Sequence, residues 1–309
     1  RLPLTLPNFP LTSRLTENRK DIFMRYRFLR FPEGKLKAVT FSYDDGCRAD
    51  IKLSALLSKY GLKGTFNLNS AWLGKSETDW HLTPEEIKTN ILDRGHEIAV
   101  HGALHKANGN IRAVEGIKDV LDCRVTLEDT FDTIVRGLAY PDSGIRHFHN
   151  NTKVKHIAHY LKELDIKYAR TLGEINDTFD LPSDWYQWMP TAHHDDKPVF
   201  ELVDRFVSYS LPDYQAIRHP KLFYLWGHAY EFDNKDNWDR MEEICEKLSG
   251  KEDTWYATNI EIYEYIEAYN SLVFSADDTV VYNPSLKTVW FFGDGEVYKV
   301  NPGETLKLI

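Results

Sequence analysis

Asp44 and Asp45 stand side by side in the run Ser42-Tyr43-Asp44-Asp45-Gly46, at the end of a strand-like stretch. Two neighbouring carboxylates repel each other unless a cation or a shared proton relieves them, and Gly46 lets the chain turn sharply behind them. The plainer alternative is an Asp-Asp-Gly turn with solvated carboxylates. Farther on, His101-Gly102-Ala103-Leu104-His105 again follows a strand-like run. Two imidazoles four residues apart, with one carboxylate, supply three ligands and leave coordination positions open. That is the donor set of a catalytic zinc or similar transition-metal site rather than a structural one. Histidine pairs at this spacing also arise by chance. The joint placement of both clusters at strand ends, where barrel active sites sit, is what points to chemistry.

Residues so placed need a frame, and the sequence supplies one by alternation. Strand-like runs over 37–42, 64–68, 97–100, 134–139, 166–170, 222–226 and 255–258 alternate with helical patterns, including 111–131, 154–164, 238–248 and 260–269. This reads as βα units around a parallel sheet or barrel. One helix start is well signalled, with Thr83 as N-cap, Pro84 in the first position and Glu86 closing a capping box. After Asn270 the pattern changes to short strands over 279–282, 288–292 and 297–300, with a Gly293-Asp294-Gly295 turn. The expected organisation is an N-terminal extension (1–34), a barrel (35–270) and a small β-appendage (271–309).

Composition narrows the classes. The 309 residues carry 38 Lys+Arg against 47 Asp+Glu, a net charge of −9 with the 12 histidines neutral. Nucleic-acid binding needs a concentrated basic face, and the one modest basic cluster, Arg19 to Arg30, reads as a solvated edge. The hydrophobic share of 42% supports a sizeable core. No apolar run approaches the ~18 residues of a membrane span. Cys47, Cys123 and Cys245 have no metal-type spacing and read as free thiols. The proline-containing start does not resemble a signal peptide. The expectation is a cytoplasmic protein if Met24 is the natural start and residues 1–23 are an added segment, and a secreted or cell-envelope one if a signal peptide was removed. Oligomeric state is not legible.

From Lys35 to Tyr269 the sequence resembles the polysaccharide deacetylases, the NodB-like or carbohydrate esterase family four proteins. Ser42 to Gly46 resembles the family's first motif and His101 to His105 its second; Gly95-His96-Glu97-Ile98 is also similar to the family's lead-in. The resemblance implies an α/β fold, a deformed (β/α) barrel with the small C-terminal β-appendage beyond it. It makes Asp44 the general base and gives Asp45, His101 and His105 to one divalent transition metal, zinc first, then cobalt, nickel or manganese. The third motif corresponds to Leu138-Ala139-Tyr140-Pro141-Asp142, where Ala139 stands in place of the Arg that orients the base. Either Arg170 or Arg136 would then replace it. Tyr140, Pro141 and the backbone N–H of Asp142 are the oxyanion and substrate candidates. The fifth motif resembles Trp226-Gly227-His228, with His228 as the acid that protonates the departing amine and Trp226 as support. Asp184-Trp185 has the residue types of the fourth motif but lies too far along for a role to be carried over.

The implied partner is an acetylated carbohydrate, and the implied reaction is hydrolysis of an N-acetyl amide ahead of an O-acetyl ester. Competing readings are a carbohydrate-binding pseudoenzyme, with catalysis lost through the altered third motif, and an amidohydrolase acting on a small non-sugar amide. Trp185, Trp188, Trp226 and Tyr230 can stack on sugar rings, although such residues more often belong to the core. The run His193-His194-Asp195-Asp196, with no strand or helix expected to frame it, reads as a substrate-facing loop before it reads as a metal site.

Overall fold

The computed structural model describes residues 26–74, 80–209 and 219–308. The Met24 start and residues 1–23 lie outside them. In chain order the elements are β1 (Arg27–Arg30), β2 (Lys37–Asp44), α1 (Ala49–Lys59), β3 (Gly64–Leu68), α2 (Pro84–Asn90), β4 (Glu97–Val100), α3 (Ala113–Phe131), β5 (Gly137–Ala139), α4 (Val154–Glu163) and β6 (Tyr168–Arg170). They continue with β7 (Ala192–His193), α5 (Val199–Ser208), β8 (Lys221–Gly227), α6 (Tyr230–Lys235), α7 (Trp238–Leu248), β9 (Thr254–Tyr256) and α8 (Asn259–Asn270), then β10 (Val273–Phe274), β11 (Val280–Tyr282), β12 (Val289–Gly293), β13 (Glu296–Val300) and β14 (Thr305–Lys307).

The barrel strands run in the order β6-β5-β4-β3-β2-β8-β7, with β9 pairing β2, and every pairing is parallel. The segment between β6 and β7 bridges the gap: Trp188 pairs with Arg170, and Ala192 pairs with Leu225 of β8. A parallel sheet needs helical crossovers, which cover its outer face.

Alternation along β2 sorts its side chains. Val39, Phe41 and Tyr43 point outward into the large core with Leu53 and Leu57 of α1, Ile87 of α2 and Phe223 and Leu225 of β8. Ala38, Thr40, Ser42 and Asp44 point into the barrel, where room is short and polar partners are available. Thr40 donates to Asn259 (2.8 Å), and Asn67 donates to Ser42 (2.8 Å). Deeper in, Glu97 accepts from Thr65 (2.8 Å), Tyr168 (2.7 Å) and the amide of Ile260 (2.9 Å). The interior is thus a hydrogen-bonded polar stack that ends at Asp44.

The head of α8 closes the N-terminal end of this interior, and Ile262, Tyr265 and Ile266 pack there against Ala38, Leu222 and Tyr224. The appendage sits on α8, because the Tyr265 hydroxyl accepts from Trp290 N (3.0 Å) and donates to the carbonyl of Arg30 (2.7 Å). It is therefore a layer over the barrel bottom, away from Asp44. Its two antiparallel sheets are β1-β12-β13 and β10-β11-β14. Strand β1 pairs with β12, so residues 27–30, expected in the N-terminal extension, join the C-terminal strands.

Two other expectations are corrected. The strand expected over 134–139 forms only at Gly137–Ala139, with Ile134 left 77% exposed. The run at His193 is framed after all, since β7 carries it alongside β8. Among the described residues no helix is long and apolar enough to cross a membrane.

The capping box read from the sequence is present: Glu86 N donates to Thr83 Oγ1 (3.3 Å) and Thr83 N donates to Glu86 Oε2 (2.9 Å). Thr83→Ala should lower stability by about 1 kcal/mol, seen as a lower urea midpoint with an unchanged m-value.

Candidate metal centre and active site

Strand β2 delivers Asp44 and then turns. Asp45 has φ 78° and Gly46 φ 62°, and a Cβ at residue 46 would meet Leu68 Cδ2 at 2.9 Å. Strand β4 delivers His101 in the same way. Gly102 follows at φ 73°, where a Cβ would lie 2.4 Å from Asp119 Oδ2, so only glycine fits. Asp119 on α3 accepts from Leu104 N (2.9 Å), and Asn69 donates to the carbonyl of Gly102 (3.0 Å). His105 also takes a left-handed φ of 55°. Strained non-glycine backbone at Asp45 and His105 persists because the surrounding contacts over-determine it.

The turns converge. Asp45 Oδ1 lies 3.5 Å from His101 Nε2 and 3.4 Å from His105 Nε2, and one donor atom from each residue falls within 4.8 Å of the others. His101 Nδ1 sits 2.9 Å from the carbonyl of Ala139. A carbonyl only accepts, so Nδ1 carries the proton and the neutral ring leaves Nε2 bare. Burial holds His101 below its usual value, against the pull of Asp44 and Asp45, so the ring is neutral near pH 7. Asp45 Oδ1 is itself buried without a hydrogen-bond partner. A bare ring nitrogen and an orphaned carboxylate oxygen facing each other are mutually repulsive lone pairs that a shared cation would turn into ligands. One oxygen and two imidazole nitrogens fit a divalent transition metal.

Asp44 has a different counter-charge. Arg170 Nη2, from the end of β6, donates to Asp44 Oδ2 at 2.6 Å, and Asn67 Nδ2 donates to Oδ1 at 2.8 Å. The guanidinium lies over the Trp226 ring at 4.4 Å, a cation–π contact. Arg136 instead pairs with Asp165 (3.0 Å) on another side of the barrel. The charge missing at Ala139 is therefore supplied from the next strand. Burial alone would raise the Asp44 carboxyl, but Arg170, with His101, His228 and Asn67, holds it below its ordinary value.

His228 follows β8, its Nε2 4.0 Å from Asp44 Oδ2 and 3.9 Å from Asp45 Oδ2. Its Nδ1 lies 3.3 Å from Glu231 Oε1. Burial opposes the charged ring, yet Glu231, Asp44 and Asp45 raise its basicity. Of the oxyanion candidates, Tyr140 is buried, with its hydroxyl donating to the carbonyl of Tyr186 (2.9 Å), so its side chain does not face the site. Pro141 Cγ comes within 3.5 Å of the Cβ position at Gly102, which sets the Pro141-Asp142 turn beside His101; Asp142 has φ 51°.

Asp184 accepts from Tyr186 N (2.9 Å), a local cap. Trp185 and Trp188 pack in the cluster with Tyr168 and Tyr263, leaving Tyr230 and Trp226 beside His228, with ring centroids 5.2 and 5.9 Å away. Sequence reasoning did not single out Asn67, Asn69, Asp119 or Glu231. Only Glu231 carried a signal, three residues after a candidate acid at the start of a short helix.

Residues 31–169 match the model of the polysaccharide deacetylase family. That stretch, 139 of the 309 residues, is similar to the polysaccharide deacetylase family. The matched stretch contains Asp44, Asp45, His101 and His105. The likeness in fold extends further: a Mycobacterium smegmatis protein assigned as a polysaccharide deacetylase superposes with a TM-score of 0.53 at 17% identity, over 80% of this chain and 96% of that chain. A CE4 family pseudoenzyme from Bacillus anthracis aligns with 76% of this chain and 68% of that chain at 14% identity and a TM-score of 0.44. A Streptococcus pyogenes deacetylase in complex with acetate aligns at 18% identity and a TM-score of 0.38, over 43% of this chain and 55% of that one, so the match spans about half its length. No curated protein matches the sequence.

Replacing any one of Asp45, His101 and His105 by alanine should lower zinc or cobalt affinity by at least about tenfold, measured by titration calorimetry. Asp44→Asn should leave that affinity within a few-fold of the parent.

Proposed function

We propose that this chain is a metal-dependent hydrolase that removes acetyl groups from a carbohydrate, acting on N-acetyl ahead of O-acetyl. The observation that carries the reading is the convergence of Asp45, His101 and His105 beside a buried, Arg-paired Asp44 and a third histidine, His228. Held by those three residues, the metal would supply Lewis acidity, polarising the acetyl carbonyl and making hydroxide available near pH 7.

The chain's own groups do the rest. Asp44 takes the proton of the attacking water, and the Arg170 ion pair keeps it ionised for that task. The backbone N–H of Asp142 donates to the oxygen that gains charge on attack. His228 Nε2 gives a proton to the departing amine, without which an amide nitrogen is a poor leaving group. Tyr230, with Trp80 at a ring distance of 5.5 Å, offers an aromatic wall for a sugar face. An N-acetyl amide is favoured over an ester because a raised imidazole basicity serves an amine leaving group. The altered third motif, the ground for reading the chain as a pseudoenzyme, loses force because Arg170 restores the charge missing at Ala139.

Acetate release from N-acetylated chitooligosaccharides with added zinc should be abolished by a chelator and by His228→Ala. Sugar binding without acetate release, in the zinc-loaded protein, would favour the pseudoenzyme. A second prediction concerns pH. Asp44 must be ionised and His228 protonated, so kcat/KM should form a bell whose acid limb lies below the usual carboxylate range and whose alkaline limb lies above the usual imidazole one. In Arg170→Met the main lowering influence on Asp44 is gone and burial remains, so the acid limb moves to higher pH. Stability should fall by about 3–5 kcal/mol at neutral pH, because a buried charge loses its partner. In the parent protein the Asp44 contribution is present above the unfolded carboxylate value and is lost as pH falls through the lower folded one.

A further inference from the structure

Behind His228 stands a cluster that the proposed reaction does not use. Glu231 Oε1 is 3.3 Å from His228 Nδ1, and its Oε2 is 2.9 Å from His194 Nε2 and 3.3 Å from His193 Nε2. His193 ends β7, and His194 is fully buried. The His194 ring stacks parallel to Tyr43 at 5.7 Å and packs on Phe232 at 4.2 Å. It also lies against Gly227, where a Cβ would come within 2.0 Å of His194 Nδ1. The glycine before His228 is thus required by the ring that touches Glu231.

The cluster has two conceivable uses. His193, His194, Asp195 and Glu231 offer donor atoms within 4.8 Å of one another, as a second metal site would. The proton positions argue against it. The amide of Asp195 donates to His193 Nδ1 (3.1 Å), so that nitrogen is bare and Nε2 carries the proton of the neutral ring. A protonated nitrogen has no lone pair for a cation. Asp195 is already paired with Lys235 and flanked by Arg240, which leaves His194 and Glu231, too few ligands for a site. What remains is a carboxylate faced by three imidazole nitrogens at 2.9–3.3 Å, of which His193 Nε2 carries a proton.

We propose that Glu231, held by His193 and His194, is the positioning residue for His228: it accepts from Nδ1–H and so fixes the ring with Nε2 toward the substrate. The proposal rests on the reading of His228 as proton donor. Once Nε2 has given up its proton, the neutral ring keeps the other proton on Nδ1, facing a group that can only accept. Glutamine at this position has the same size but also donates. The N–H of His193 would claim its oxygen, turning its NH2 toward His228 Nδ1 and moving the ring proton to Nε2.

Nitrogen-15 NMR of the zinc-loaded full chain, labelled at histidine, tests this directly, with the His228 signals identified by their loss in His228→Gln. In the parent protein the neutral ring should carry its proton on Nδ1, in Glu231→Gln on Nε2, and in Glu231→Asp again on Nδ1. On chitooligosaccharides, Glu231→Gln should lower kcat by a factor on the order of 10²–10⁴ with little change in KM, the effect of reversing a catalytic imidazole's tautomer, and Glu231→Asp should recover part of it. Zinc content should stay at one equivalent per chain in all three proteins. A parent spectrum with Nδ1 bare overturns the proposal even if the variants fail to fold. So does an unchanged tautomer in Glu231→Gln, or a second zinc equivalent that this variant loses. Should the tautomer respond as stated while no protein releases acetate, the positioning stands and the hydrolase reading fails.

Discussion

Negative charge crowded into the mouth of the barrel is the constraint to which the surrounding structure responds. Asp44 and Asp45 are consecutive, and the left-handed backbone at Asp45 aims the two carboxylates at different partners. Asp44 turns into the interior, where Arg170 meets it; Asp45 turns outward to His101 and His105. Neither solution would serve both residues. In the proposed reading, a guanidinium on Asp45 would occupy the position of the metal, and a cation shared by both would leave no free base. Dividing the compensation between a fixed organic cation and an exchangeable metal would keep one carboxylate available for proton transfer.

Precision at this mouth comes from below it. Each inward polar residue of β2 has a hydrogen-bonded neighbour, from Thr40 with Asn259 to Ser42 with Asn67, so the strand cannot slip without orphaning a buried polar group. The base of the stack is closed by α8 and the small C-terminal sheets, away from the reacting groups. Loops above can then carry strain at Asp45, His105 and Asp142 because the scaffold that anchors them is rigid.

Glu231 shows how a site can extend through residues that look unrelated in the chain. His193 and His194 come from β7, His228 from the end of β8 and Glu231 from α6, yet they meet around one carboxylate. The tautomers tell the two histidine clusters apart. His101 has its proton pulled to the far nitrogen by a carbonyl and presents a lone pair, whereas His193 has its far nitrogen occupied by a donor and presents a proton.

Local signals were enough for what depends on neighbours in the chain: the barrel strands other than the two-residue β7, the Thr83 cap, and the carboxylate and histidine pairs that meet at Asp45. Hydrophobic period, capping chemistry and donor spacing are all short-range, so they are written in consecutive residues. The helix at Val199–Ser208 was equally written, with Val199, Leu202, Val203 and Phe206 on one face, but went unread beside the polar run before it. Tertiary structure alone decided that Arg170 rather than Arg136 answers for Ala139, that Trp185 and Trp188 are core, that β1 belongs with the C-terminal strands, and that His193 and His194 face Glu231. Each of these depends on which strand ends lie side by side and which way a ring or guanidinium points once the barrel curls. Those relations join residues as far apart as Asp44 and Arg170 or Arg27 and Gly293, and no pattern within a window of the chain encodes them.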